Sequence, residues 1–272
     1  MNKEDYLISK ISSPYVGDDG AVIGNRVYSM DAFFENIHFK RAWMTLSQIA
    51  RKAMLVNLSD AIAMNAQPLY ALITLSLPKD IDKREIDEIV ESLHKVASEY
   101  NCEIIGGDTI AGERLDFSIT IISETKHPLT RKGLREGDLL AYTGTLGESK
   151  RDLNRLFQGE KIEHSSKFIE PILRKEFIEK SREYLRTGMD ISDGLFCDTN
   201  KMLKMNSTGF ELLKDISDEV GTSGEEYEML VSFAPEELDH ILRVAKETET
   251  DLTLFAKVKN NDNKFVCRGH HF

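Results

Sequence analysis

Gly188-Met189-Asp190-Ile191-Ser192-Asp193-Gly194-Leu195 sets two carboxylates three residues apart, with a hydroxyl between them and a glycine on either side. Hard divalent cations take oxygen ligands, and carboxylates on a glycine-permitted turn can converge on one ion while nearby N–H groups stay open to a phosphate. A solvated Asx turn ahead of a helix would account for such a stretch in isolation. Four further acidic points lie upstream, at Gly17-Asp18-Asp19-Gly20, Ser29-Met30-Asp31, Asn57-Leu58-Ser59-Asp60 and Gly106-Gly107-Asp108-Thr109. The fold expected is one in which these segments can meet.

A chain of 272 residues can bury a sizeable core and is long enough for two ordinary domains. Hydrophobic residues make up 41% and charged residues 30%, a globular balance that predicts order throughout. The net charge of −11 argues against nucleic acid and against an anionic membrane surface, both of which need clustered Lys and Arg. A polyanionic ligand would need cations as intermediaries. The three cysteines, Cys102, Cys197 and Cys267, have neither C-x-x-C spacing nor an even count, so neither a zinc site nor a disulfide framework is expected. The N-terminus lacks the apolar run of a signal peptide, and no later run approaches a membrane span. These features predict a cytoplasmic protein without a membrane partner.

Outward from the quoted stretch, the N-terminal half opens with a short helix. The Gly17–Gly20 turn leads into Ala21-Val22-Ile23, and Gly24-Asn25 separates that run from Val27-Tyr28-Ser29-Met30, a hairpin pattern. Asp18 and Asp19 open one strand and Asp31 closes its partner, so antiparallel pairing brings the acids to one end. Acids so crowded repel one another, and either a cation or open solvent must relieve them. Thr45 and Gln48 form a capping box for a helix with the inward stripe Leu46, Ile49, Ala50, Ala53, Asn57, Asp60, Ala61 and Met64. A carboxylate on the buried face of such a helix is costly unless paired or metal-bound, which singles out Asp60.

Leu69–Leu77 reads as a strand closed by Pro78, and Asp82 with Glu85 starts a helix whose apolar face ends at Tyr100. Glu103–Ile105 is a short strand running into Gly106-Gly107-Asp108-Thr109, where the glycines would admit a phosphate or a neighbouring strand; without a following Gly-Lys-Ser/Thr this is not a P-loop. Leu115–Ser123 is the next strand. Hairpin, helix, strand, helix, strand, strand predicts an α/β layer with helices on one sheet face. The polar loop Glu124–Gly137 marks a boundary between a domain at 1–137 and another at 138–272. In the second, strands are expected at Leu139–Thr143, Gly209–Leu213, Met229–Phe233 and Leu252–Val258. Helices are expected near 148–158, around Arg174–Arg186, after Leu195, and after Pro235 at N1.

In this order the motifs resemble the thiamine-monophosphate kinase family, part of the superfamily that includes aminoimidazole ribonucleotide synthetase. The resemblance is carried by Gly17-Asp18-Asp19, Asp31 through His38-Phe39, Asn57 through Met64, Gly106 through Thr109, Leu129-Thr130-Arg131 and Asp190 through Leu195, and it spans nearly the whole chain. It implies an α/β (α+β), two-domain aminoimidazole ribonucleotide synthetase-like fold. Its N-terminal mixed sheet has helices on one face and pairs with its twin in a homodimer; its C-terminal α/β sandwich domain carries the Asp190 loop and part of the substrate site. The implied reaction is transfer of the γ-phosphoryl group of ATP to thiamine monophosphate, giving thiamine diphosphate. The implied Mg²⁺ ligands are Asp19, Ser29, Met30 through its carbonyl, Asp31, Asp60, Asp108, Asp190 and Asp193. ATP contacts fall to Tyr100, Gly107, Asp108, Arg131 and Ser192. His38, Glu225 and His270 match substrate-binding positions, and Asp108, Asp190 and Asp193 are the implied catalytic carboxylates.

Elementary chemistry points the same way. Phosphoryl transfer leaves a protein mainly positioning and charge stabilisation, so an enzyme without a Walker lysine can rely on several Mg²⁺ ions held by aspartates. The acceptor is already a phosphate oxygen and, fully ionised, has no proton to lose, which predicts direct in-line transfer without a phospho-enzyme. The chain departs from the family pattern in its shorter length, in Ser223-Gly224-Glu225-Glu226-Tyr227 where G-G-E-D-Y is usual, and in His270 near the expected C-terminal aromatic. Other synthetases of the superfamily are one competing expectation; the absence of a cysteine before Cys102 and the ending at Phe272 oppose the selenophosphate synthetase and hydrogenase-maturation branches. A non-catalytic Mg-nucleotide sensor is the other, and ATP turnover against ATP binding separates it from a kinase.

Overall fold

A computed structural model describes residues 3–267. Its first sheet runs, from edge to edge, β1 (Ala21–Ile23), β2 (Arg26–Phe34), β5 (Asp116–Glu124), β3 (Gln67–Pro78) and β4 (Glu103–Gly112). Only β3 and β4 are parallel, so the sheet is mixed. Strict alternation in β5 buries Phe117, Ile119 and Ile121 on one face. Against that face pack α2 (Leu46–Ala63) and, through α2, α3 (Lys83–Glu99), each opened by a complete capping box, Thr45 with Gln48 and Asp82 with Glu85. Among the described residues no helix packs on the opposite face, which leaves Tyr28, Met30, Tyr70, Leu72 and Ile110 exposed.

The second sheet, β7 (Leu185–Asp190), β9 (Met229–Phe233), β6 (Leu139–Thr143), β10 (Leu252–Lys259) and β8 (Gly209–Leu212), is antiparallel throughout. One face meets α6 (Leu195–Met205) over Leu140, Met189, Leu230 and Phe255. The other meets α5 (Lys175–Ser181), through Phe177, and α8 (Leu238–Glu247) over Ala141, Val231 and Phe233. Both faces are therefore covered, as in an α/β sandwich. Helix α2 joins the two halves: it packs on β2 and β5 and also meets β7. Thirteen of its 18 residues are buried, the state of a helix enclosed on nearly all sides.

Several expectations change. Strand β4 does not end at Ile105 but runs on through Gly106 and Gly107 to Gly112. Gly107 has φ +151, and a Cβ there would stand 1.7 Å from the Ile73 carbonyl oxygen, so the glycine serves strand-to-strand approach. The helix expected to reach Arg186 stops at Ser181, and Leu185–Asp190 instead forms β7, buried at nearly every position; a short apolar run does not distinguish buried strand from buried helix. Pro235 opens a 3₁₀ turn, Pro235–Glu237, ahead of α8. The cysteine expectation is overturned: Cys197 and Cys267 form a disulfide across 70 residues, while Cys102 is a buried free thiol. Spacing could not reveal it, because the two cysteines meet only through tertiary packing. Phe265 stacks on Phe196 and on Phe210, each at 4.3 Å, and exchanges two hydrogen bonds with Asn200, which brings the segment after β10 across α6. No helix among the described residues is long and apolar enough to cross a membrane.

Candidate active site

Three elements deliver the acids. The turn before β1 supplies Asp19, the last turns of α2 supply Asp60, and the end of β7 supplies Asp190; their carboxylate oxygens lie within 4.8 Å of one another. Asp31 stands on the helix-facing side of β2, its N–H donating to Asn57 Oδ1 at 2.8 Å, and its charge acts on both Asp60 and Asp190. Asn57 is itself fixed, donating from Nδ2 to the Ala53 carbonyl at 2.8 Å. The hairpin end, the α2 stripe and the quoted loop thus converge between the two sheets. Ser29 lies two residues before Asp31 on the same side of β2, buried, its Oγ without a hydrogen-bond partner among the described residues. The Met30 side chain is 64% exposed on the other face, so only its main chain could serve an ion.

So many acids in one place disfavour their ionised forms. Burial, then the charges of Asp31, Asp190 and Asp19, pushes Asp60 well above the usual carboxylate range. Burial and Asp19 do the same to Asp190, which is 3% exposed, while a 2.6 Å hydrogen bond from Ser59 Oγ opposes the shift. Asp18 is pushed up to about 6 by burial, against an N–H bond from Arg131 at 3.0 Å. The Arg131 guanidinium, nearly buried, hydrogen-bonds Asp19, whose second oxygen, Oδ2, is buried without a hydrogen-bond partner among the described residues. An all-oxygen donor set, costly as free anions and with an orphaned carboxylate oxygen, fits a hard divalent cation.

The turn after β7 is held from inside. Asp198, fully buried on α6, accepts the N–H groups of Ser192 at 3.1 Å and Asp193 at 3.0 Å through Oδ2. Lys201 Nζ reaches Asp193 at 2.5 Å and Asp198 at 3.1 Å. Burial pushes Asp198 up to about 6 despite that lysine. Asp198 and Lys201 were not singled out from sequence. The available signal was periodicity, since Leu195, Asp198 and Met202 fall at i, i+3 and i+7 and all are buried.

Not every expected residue reaches the acids within one chain. Across the first sheet, Asp31 pairs with Ile119, Ile119 with Ile73, and Ile73 with Gly107. Asp108 is therefore about 14 Å away by strand spacing, and alternation sets it on the bare face, opposite the helix side that Asp31 occupies. Its Oδ1 accepts the Thr109 N–H at 2.8 Å. Tyr100 caps α3, and the charges acting on it are those of Arg51, Glu99 and Glu170.

His38 accepts the Phe34 N–H on Nδ1 at 2.9 Å and stacks on Phe33. Glu225 donates its N–H to the Ser192 carbonyl at 2.8 Å, and Tyr227 donates its own to the Ile191 carbonyl at 2.9 Å, so the Ser223–Tyr227 segment is laced to the quoted loop. Both residues take positive φ, 54° and 53°. Tyr227 is buried, and its hydroxyl is pushed well up by burial and by the charges of Glu225, Asp31, Asp190 and Asp60, which marks it as a neighbour of the cluster that sequence reasoning also missed. His270 lies outside the described residues.

Comparison with known proteins adds three findings. The family model "AIR synthase related protein, N-terminal domain" matches residues 17–125. Curated relatives include the thiamine-monophosphate kinase of Aquifex aeolicus, 27% identical over 96% of this chain and 92% of its own, and that of Rhodopirellula baltica, 32% identical over 82% and 76%. A solved structure of AaThiL complexed with AMPPCP and TMP superposes with a TM-score of 0.86 at 25% identity, covering 99% of this chain and 96% of the other.

Proposed function

This chain belongs to the thiamine-monophosphate kinase family, and from that premise we propose that it transfers the γ-phosphoryl group of ATP to thiamine monophosphate, forming thiamine diphosphate and ADP. The observation that carries the reading is the convergence of Asp19, Asp60 and Asp190 from three elements, with carboxylate oxygens within 4.8 Å of one another. Asp19, Ser29, the Met30 main chain, Asp31, Asp60 and Asp190 would hold Mg²⁺, with Asp193 beside them. Bound there, Mg²⁺ would neutralise the polyphosphate and the charge that develops on transfer. Arg131 is placed to exchange its bond with Asp19 for a phosphate oxygen once a cation relieves Asp19. The turn at Ser192 and Asp193 is fixed from inside by Asp198, a preorganised frame that would meet developing charge with little reorganisation. His38 and Glu225 would take the thiamine end, beside the cluster.

Asp108, Gly107 and Tyr100 are read as ATP contacts that act in a homodimer. Asp108 lies on the bare sheet face with Tyr28, Met30, Leu72 and Ile110, and a contiguous exposed apolar surface of this kind is a subunit interface. A second copy laid on that face would give its Asp108 a route to the β1–β2 side of the sheet, where the turn before β1 carries Asp19 and β2 carries Asp31. The division into 1–137 and 138–272 is supported by a sheet on either side of it. A cytoplasmic location is supported by the use of ATP as co-substrate, and the Cys197–Cys267 bond weighs against it.

The test is release of ADP with thiamine monophosphate, thiamine or water as acceptor, with and without Mg²⁺. Turnover is expected with thiamine monophosphate and Mg²⁺ alone. Turnover with thiamine only, or ATP binding without turnover on any acceptor, would replace this reading with a different kinase or with a nucleotide sensor.

A further inference from the structure

Lys52 is anomalous in α2. The helix buries mostly small and apolar side chains, yet Lys52 brings its amine into the same interior at 0% exposure. An ammonium is driven from water at a cost that only a well-made partner offsets. That partner is Glu225, whose Oε2 accepts from Lys52 Nζ at 2.6 Å. The ammonium also stands over the Phe168 ring at 4.0 Å and the Phe33 ring at 5.6 Å, so rings close off its other sides. Phe33 in turn stacks on His38 with centroids 5.6 Å apart.

The two ends of this ion pair are unlike. Lys52 is wholly enclosed, whereas Glu225 keeps a quarter of its side chain exposed. The Glu225 main chain is held as well: its N–H donates to the Ser192 carbonyl at 2.8 Å, and its carbonyl accepts from Ser149 Oγ at 2.9 Å. It also sits at φ 54°, a conformation that a residue with a Cβ keeps only when its surroundings impose it. Contacts from three elements therefore hold one residue, two at its main chain and Lys52 at its partly exposed carboxylate.

We propose that Lys52 is the positioning residue for substrate recognition: by taking Oε2 it locks the Glu225 carboxylate and leaves Oε1 to meet an N–H donor on the aminopyrimidine end of thiamine monophosphate. This rests on Glu225 binding the substrate, as read above. A lysine that served only to join the two halves of the chain would give stability but no preference between the two substrates. A lysine that aims Glu225 acts on one substrate alone.

The experiment compares wild type, Lys52→Met, Lys52→Arg, Glu225→Gln and the Lys52→Met/Glu225→Gln pair in steady-state kinetics, calorimetric titration with thiamine monophosphate, and melting. Lys52→Met should raise KM for thiamine monophosphate about tenfold, the scale of one charge-assisted hydrogen bond, with KM for ATP little changed. Lys52→Arg, which keeps the charge in a differently shaped head, should raise it by a smaller factor. The double variant should be no worse than Glu225→Gln, because Lys52 acts through that carboxylate. An unmoved KM for thiamine monophosphate in Lys52→Met, or equal rises for both substrates, or additive losses in the double variant, would overturn the proposal. A wild-type KM in Lys52→Arg overturns it even where Lys52→Met does not fold. A wild type that neither binds nor phosphorylates thiamine monophosphate removes the reading of Glu225 together with this one; a competent wild type with an unmoved Lys52→Met removes this one alone.

Discussion

At the scale of single residues, burial and neighbouring acids oppose the ionised forms of Asp60 and Asp190, and this gives a test of catalytic against structural roles. Asp190→Asn and Asp60→Asn each remove one charge at nearly constant shape. Each should slow turnover about a hundredfold, on the order of 3 kcal/mol, as loss of one electrostatic contact to the reacting phosphates does. The metal-free melting temperature should hold or rise, since repulsion is relieved. Calorimetric melts beside kcat check both halves, and a large metal-free destabilisation would return these aspartates to the scaffold. The same physics sets a pH dependence. Asp18 and Asp198 are pushed from 3.8 to about 6 in the folded chain, so the native state binds more protons than the unfolded one between those values. Stability from these groups is complete below the unfolded value and lost as pH rises through about 6. Glu228 runs the other way: burial would raise it, but Arg174 and Lys167 hold it below its ordinary 4.5, so its effect falls in a lower window. Melting without metal should therefore improve from pH 7.5 to 5.5, by an amount that Mg²⁺ diminishes. Asp19, Asp31 and Asp60 were legible in sequence because each is a carboxylate at a turn or on an apolar stripe. Asp198 and Tyr227 were not, because what marks them is burial against the other acids, which only the fold creates.

Among the elements, the departure from the usual G-G-E-D-Y acquires a physical account. Helix α4 (Glu148–Phe157) starts at Gly147 with no side-chain cap of its own. Glu226 supplies one from a distant loop, accepting the N–H groups of Gly147 at 2.8 Å and Ser149 at 3.2 Å. Two residues on, Glu228 is wholly buried and takes Arg174 at 2.7 Å, Lys167 at 2.8 Å and Thr143 Oγ1 at 2.7 Å. Glu228→Gln takes the shared anion from buried Lys167 and partly buried Arg174 and should cost about 3 kcal/mol or more, read from the denaturant midpoint. An unchanged midpoint would show that water or a neighbouring acid takes over. Capping boxes made α2 and α3 readable, since Thr45 with Gln48 and Asp82 with Glu85 are local signals. Strand β7 and the full length of β4 were unreadable for the opposite reason: Leu185–Asp190 is a strand because β9 lies beside it, and Gly107 is in a strand because Ile73 leaves no room for a Cβ.

For the whole molecule, the bare face of the first sheet is the governing feature. Met30→Asp with Ile110→Asp places charge on two of its exposed apolar positions. The variant should sediment as a monomer and lose turnover while keeping its far-ultraviolet spectrum. A monomeric wild type, or an active monomeric variant, would count against the dimer. Motif order alone indicated the two-layer plan, because each acidic point ends or interrupts an element. Sequence could not show that Asp108 stands three strands from Asp31 and on the other side of the sheet. That separation has a consequence for mixed populations. If each site draws Asp108 from one copy and Asp190 from the other, an Asp108→Asn chain and an Asp190→Asn chain, each strongly impaired alone, complement one another. Within a hybrid pair one pocket inherits both lesions and the other neither, so random reassortment of equal amounts restores about a quarter of wild-type turnover. The same arithmetic leaves either lesion without dominance over a wild-type copy expressed beside it, because a singly mutated chain disables one pocket whatever its partner.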